Sequence, residues 1–332
     1  MIRFAKIVAL AASCLVAGGS ISLAKSVLKF HHDLPEDSAQ HVAAEKFRDL
    51  VAERTKGNIE VRIFPNNALG DDVQAAQQMQ FGAIEGGIIP TAKLSNFQPT
   101  MQLPDLPFLF PSAEIAHKFL DSEVGDELLA SLSKIGLKGV TFWESGFKQF
   151  TCNNAVNKPE DFKGRKVRVM ESPIIIEQFR ALGSTPAPIA FSETYTALQQ
   201  RVVDCQENPL VSIVKMKFHE VQTNTIISNH AYLGYAFVFS KRWFDALDPE
   251  TQKVLVDTAR EVTAFQRAET TRREQGYIET IKAGSSKLST LPAEYRESFE
   301  AATRPVHDKF KGSIGAELLD KAYKKIKELK GT

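Results

Sequence analysis

The chain has 332 residues, 43% hydrophobic and 24% charged, with a formal net charge of +1. That length exceeds one ordinary compact core, so two domains are expected, and the composition is that of a globular protein. The balanced charge shows no basic run or stripe, which argues against nucleic acid and anionic membrane surfaces as partners.

The first 24 residues stand apart. Arg3 and Lys6 form a basic start, Ile7 to Ala17 is apolar, and Ser22-Leu23-Ala24 fits a small-x-small cleavage site. That is the pattern of a secretory signal peptide, with an exported chain starting at Lys25. The apolar run is too short, and too soon interrupted by Gly18-Gly19, for a transmembrane helix. Cys14 in Ala-Ala-Ser-Cys resembles a lipoprotein site, but apolar sequence continues past it. Losing Arg3 and Lys6 leaves 39 basic against 40 acidic residues, a net charge near −1. Two cysteines then remain, Cys152 and Cys205. In an oxidising compartment they are either a disulfide or two buried thiols.

Val27 to Phe30 reads as a first strand. A helix follows from about Ser38 to Arg54, with Ala43, Phe47, Leu50 and Val51 on one face and Gly57 as terminator. Ile59, Val61 and Ile63 alternate in a second strand ending at Pro65-Asn66-Asn67. Leu69-Gly70-Asp71-Asp72 opens a helix to about Phe81, stopped by Gly82, and Ile88 and Ile89 mark a third strand. This β-α-β-α-β order favours a parallel, doubly wound sheet. Phe97 to Pro111 (FQPTMQLPDLPFLFP) carries four prolines and is expected as an extended segment against the core. Helices at Ser112 to Leu120 and Gly125 to Ile135 precede a strand at Lys138 to Trp143. Gly146 to Cys152 continues extended, as a crossing between domains.

Gly164 to Pro209 reads as strand, helix, strand, helix, strand. Lys166 to Met170 (KVRVM) holds Arg168 between two valines. Ser172 and Pro173 start a helix with Ile175, Phe179 and Leu182 at its period and Gly183 as its stop. A strand runs into Phe191, Ser192 caps a helix carrying Tyr195, Leu198 and Val202, and VVDC leads to Glu207-Asn208-Pro209. In such units ligands collect outside the carboxyl ends of the strands, where Arg168, Phe191 and Asn208 would sit. A further strand spans Tyr235 to Ser240. Asp248 and Pro249 then start a helix reaching about Ile281, roughly 50 Å long at about 1.5 Å per residue. That exceeds one small domain, so the helix is expected to act as a spine touching both. Leu291-Pro292-Ala293 and Gly315 to Leu329 supply the last helices. The fold class is α/β, with two domains, a cleft and a long helix spanning both.

Several side chains could carry chemistry. Arg168 on a buried strand needs anionic company. Its partner is either a ligand carboxylate gripped by the guanidinium fork or an internal Glu171, Glu193 or Glu207. Asn208 before Pro209 is a helix N-cap or a group facing an anion at a helix start. Phe191 is core or ligand platform, and Lys148 by itself reads as a solvated charge. His31-His32-Asp33 hints at a metal, but neighbouring strand side chains point to opposite faces, so no metal is assigned. No glycine-rich dinucleotide loop, phosphate loop, G-x-S-x-G elbow or H-E-x-x-H is present, and no cofactor is expected.

These residues resemble the solute-binding proteins of tripartite ATP-independent periplasmic (TRAP) transporters, the DctP type. The resemblance is carried by KVRVM at Lys166, LGSTPAPIAFSETYTALQQRVVDCQENP at Leu182 to Pro209, KFHEVQ at Lys217, NTIISNHAYLGY at Asn224 and LPFLF at Leu106. Its order and spacing hold from about Val27 to Phe310. The resemblance implies two α/β domains that close on a ligand by a hinge, in the periplasm. Domain I would comprise 25–145 plus about 235–273, and domain II 146–234 plus about 274–332. It implies that Arg168 pairs with a ligand carboxylate, that Phe191 packs on the ligand and that Asn208 hydrogen-bonds the carboxylate. Glu171 would read the rest of the ligand, and Lys148 falls where many members have a second arginine, so a second ligand carboxylate is left open. Asp33 and the segment Pro90 to Lys93 fall at pocket positions that vary with substrate. Cys205 departs from the family's usual glycine. The implied function is capture of a small organic acid by a monomer that does no chemistry and hands its ligand to two membrane subunits. A C4-dicarboxylate is favoured, with a sugar acid or other monocarboxylate as the alternative. A ligand-binding module for a sensor and a secreted α/β enzyme are the other readings.

Overall fold

The computed structural model describes residues 26–331; the expected signal peptide lies outside them. Ten strands run in chain order as β1 (Ser26–His31), β2 (Ile59–Phe64), β3 (Gly86–Pro90), β4 (Leu137–Cys152), β5 (Lys166–Val169), β6 (Thr185–Pro188), β7 (Cys205–Pro209), β8 (Asn224–Ile227), β9 (Tyr232–Ser240) and β10 (Lys287–Thr290). They form two sheet halves that share β4. One half has the order β2-β1-β3-β9-β4, the other β6-β5-β7-β4-β8-β10. The first half of β4 pairs with β9, and its last residues, Lys148 to Cys152, pair with β7.

The helices start and stop where the sequence signals place them. Ser38 Oγ accepts from His41 N at 3.2 Å at the head of Ala39–Arg54. Asp71 and Gln74 form a reciprocal capping box on Asp72–Phe81, and Gly82 ends that helix at φ +80°. Asp248 caps Pro249–Ala283 through Thr251 N at 2.9 Å. This 35-residue spine packs on Ala39–Arg54 and β4 at one end and on Leu210–Lys215 and β10 at the other. Among the described residues no helix is long and apolar enough to cross a membrane.

Some expectations change. The sheet is mixed: β1 is parallel to β2 and β3, but β9 is antiparallel to both β3 and β4. The reason is connectivity, since β4 carries the chain out of the first half and β9 brings it back alongside. The proline-spaced segment is not extended over its first half. Pro99–Asp105 winds as a buried 3₁₀ helix, which needs only i→i+3 bonds and tolerates Pro99 in its first turn. Ser172 stands at the N-cap of Pro173–Ala181 but makes no capping bond. Ser192 lies inside the short turn Phe191–Glu193 rather than capping Thr194–Gln199, and Val202 is exposed beyond that helix. Asn208 belongs to β7, so Pro209, not Asn208, occupies the cap position of Leu210–Lys215.

The crossing is held tightly. The β4/β9 register shifts between Glu144 and Gly146, and Gly146 adopts φ +93° there. That positive φ favours glycine, and a Cβ there would also come within 3.2 Å of Glu274 Oε1 on the spine. Gln266 on the spine pins this bulge, donating to Glu144 O at 2.8 Å and accepting from Glu144 N at 3.0 Å. One strand further, Cys152 and Cys205 face each other across β4 and β7 and are joined as a disulfide.

Candidate ligand-binding site

Between the two sheet halves lies a closed cleft with a cavity of about 10 Å³. The first half contributes Asp33, Asp72, Pro90, Lys93, Leu233 and Tyr235, and the second contributes Arg168, Met170, Phe191 and Asn208. That volume is room for about one water, so the cleft is shut around its lining residues. Strand ends account for the placement: β5, β6 and β7 run parallel and finish together, while β3 ends at Pro90 opposite them.

Arg168 is the centre of the site and is fully buried. Its Nε and Nη2 both donate to Ile189 O, at 3.0 and 2.8 Å, while Nη1 has no partner. Neither Glu171, Glu193 nor Glu207 forms an ion pair with it. Glu171 is held by Lys93, and Glu207 by Lys148 and His230. Burial lowers the guanidinium pKa to about 10, against the raising fields of Glu207, Asp72 and Asp33, so it stays charged near neutral pH. A buried cation with a spare donor asks for an anion. Phe191 supplies an apolar wall, its ring centroid 6.0 Å from the Arg168 guanidinium and 6.1 Å from the ring of Phe218. It is both core and cavity wall. Asn208 is buried beside it and donates through Nδ2 to Gln206 Oε1 at 2.6 Å.

The first half brings two carboxylates. Asp33 accepts from Tyr235 OH at 3.1 Å through Oδ2, and its Oδ1 is buried without a partner. Burial, followed by the nearby Asp72, pushes the Asp33 carboxyl well above its ordinary range. Asp72 contacts His31 Nε2 at 3.3 Å. Lys93, also buried, reaches Glu171 across the cleft, and Asn96 Nδ2 donates to Glu171 O at 2.6 Å. Burial lowers the Lys93 pKa, Asp72 works against that, and Arg168 adds to it.

The sequence-predicted residues therefore divide. Arg168, Phe191, Asn208, Asp33 and Lys93 come together at the cavity. Glu171 meets Lys93 near its mouth but does not line it. Lys148 is not brought to the cavity wall: its ammonium lies 2.9 Å from Glu207 Oε1, both groups buried, while His230 Nε2 takes Oε2 at 2.8 Å. It is neither solvated nor free for a ligand. Sequence reasoning missed Asp72, read only as part of a helix opening. Asp71 alone makes the capping bonds, and that surplus of acid at one helix start was the available signal.

Known proteins agree with this architecture. Residues 30–313 match the model of the DctP family, described as bacterial extracellular solute-binding protein, family 7. The chain belongs to that family, the solute-binding proteins of TRAP transporters. The 2,3-diketo-L-gulonate-binding periplasmic protein YiaO of Escherichia coli is 37% identical over 310 residues, covering 92% of this chain and 94% of the relative. The C4-dicarboxylate-binding periplasmic protein DctP of Rhodobacter capsulatus is 34% identical, covering 92% and 95%. The solved sugar acid binding protein DctPAm of Advenella mimigardefordensis, in complex with galactonate, is 33% identical with a TM-score of 0.88, covering 91% and 98%.

Proposed function

We propose that this chain is the periplasmic binding subunit of a TRAP transporter, capturing a small organic acid through its carboxylate. Arg168 grips the carboxylate through the donor it does not spend on Ile189, Asn208 adds a hydrogen bond, and Phe191 packs against the ligand. The loaded monomer hands the acid to its membrane subunits and performs no reaction on it. The two sheet halves act as the domains, 25–145 plus about 235–273 and 146–234 plus about 274–332, exported by the leader at residues 1–24. The single observation that supports this most is the unpartnered Nη1 of a fully buried arginine on the wall of a cavity. Relatives named for C4-dicarboxylates and for sugar acids make both classes candidates.

A thermal-shift screen of the purified protein against dicarboxylates, sugar acids, keto acids and amino acids tests the reading. A ligand at about 100 times its Kd stabilises the fold by about 2.7 kcal/mol. Arg168→Ala should then cost roughly 2–5 kcal/mol of binding, about one and a half to three and a half decades in Kd. An unchanged Kd in a folded Arg168→Ala protein, or stabilisation by neutral and cationic compounds alone, overturns the role given to Arg168.

A further inference from the structure

The cavity is not a symmetric cage for two anionic ends. Arg168 offers one unpartnered cationic donor, and Asp33 offers one unpartnered carboxyl oxygen, with only 5% of Asp33 exposed. The other cation on the wall, Lys93, is already engaged by Glu171 from across the cleft. That leaves Arg168 against two buried carboxyl groups, Asp33 and Asp72, once Lys93 and Glu171 are set against each other. One ligand carboxylate is met by Arg168. A second would lie in a small closed space with Asp33 and Asp72, where burial and like charge act together. Hydroxyl groups are what an unpartnered carboxylate oxygen accepts from, and leaving such an oxygen unmet is costly.

Resting on the carboxylate reading of Arg168, we infer that the ligand is a hydroxylated acid with a single carboxylate, selected against dicarboxylates by Asp33 and Asp72. Asp33 Oδ1 accepts from a ligand hydroxyl while Tyr235 holds Oδ2 in place. Asp72, fixed by His31 at the head of its helix, repels a second carboxylate and offers a further acceptor. The high Asp33 pKa fits the same wall, since a protonated Asp33 would still exchange hydrogen bonds with hydroxyls. A site built to hydrogen-bond a substrate hydroxyl rejects the analogue lacking it by up to about 10⁴–10⁵-fold.

Calorimetric titration with three probes tests this: erythronate or galactonate, succinate, and butyrate. The aldonate should bind at least 100-fold more tightly than either succinate or butyrate. Asp33→Asn and Asp72→Asn should each weaken the aldonate at least tenfold and leave succinate unchanged or improved. Unfolding midpoints of the variants confirm that they are folded, and the wild-type comparison stands without them. Succinate binding as tightly as the aldonate overturns the inference and leaves the Arg168 reading intact, because it would mean that Lys93 abandons Glu171 for the second carboxylate. An aldonate-to-succinate ratio unmoved in both folded variants overturns the role of the two aspartates. No acid binding at all removes the Arg168 reading and this inference with it.

Discussion

Lys148 and Glu207 form an ion pair in which neither side chain is exposed beyond 1%. His230 closes the second oxygen of Glu207 and stacks on Phe150 with ring centroids 3.9 Å apart. Burial alone would raise the Glu207 pKa, but Lys148 and His230 outweigh it and hold the group at about 2. A carboxylate depressed in the fold stabilises above its unfolded value, and that contribution fades as pH falls through about 4.5 toward 2. Removing one partner of such a pair leaves a buried charge and costs about 3–5 kcal/mol. Lys148→Met is therefore expected to lower the unfolding free energy read from urea titration by that amount near neutral pH. The loss should shrink as pH falls through about 4.5, because Glu207 is no longer held low by Lys148. Ligand affinity, measured well below the new melting temperature, should change by less than threefold. A stable variant that had lost affinity would instead return Lys148 to the ligand, as its sequence position implies.

Elements that depend on local signals were legible in the sequence. The capped helices, the alternating first strands and the spine from Pro249 all follow from spacing and termini within a few residues. What was not legible depended on partners. Asn208 looks like a cap because proline follows it, and only the pairing of β7 with β4 makes it a strand residue on the cavity. Arg168 could be placed near a strand end, yet the choice between ligand and internal glutamate needed to know that Glu207 is taken by Lys148. The cysteines were undecided for the same reason: 53 positions apart in sequence, they become register partners only across β4 and β7. Their disulfide ties the crossing strand to the strand carrying Asn208. Closing a loop of that length stabilises by about 4 kcal/mol in the chain-entropy model, at the upper end of the about 2–4 kcal/mol typical of disulfides. Cys152→Ala/Cys205→Ala should lower the urea midpoint accordingly and make it insensitive to reductant. A wild-type midpoint equally insensitive to reductant would mean that the two sulfurs are not bonded in the purified protein.

At the scale of the whole molecule, the site is sealed. Arg168 and Asn208 are no more than 1% exposed, so a ligand can enter only if the halves part. β4 and the spine run through both halves, whereas the cleft mouth is bridged by side chains of one half reaching the other. There Lys93 and Asn96 of the first half hold Glu171, and Asp37 is held by Lys215 and by Arg273 Nη1, the latter at 2.9 Å to Asp37 O. Held there, Glu171 is expected to act as a latch on the closed form rather than as the reader of the ligand that the resemblance implies. Its side chain is about one-third exposed, so screening limits its worth. A threefold to tenfold effect, up to about 1.4 kcal/mol, is the expected scale. Glu171→Gln keeps the backbone bond to Asn96 and removes only the charge. In stopped-flow experiments it should speed ligand release by that factor and leave association nearly unchanged, because most interface losses fall on dissociation. The two roles also differ in their dependence on ligand. A latch loosens every bound acid by the same factor, since it acts on the closed state that all of them share. A reader loosens only the acids whose distal groups it touches. Release rates for two acids of different length, compared in the wild type and the variant, separate these. A factor that differs between the acids by more than about threefold would return Glu171 to the cavity.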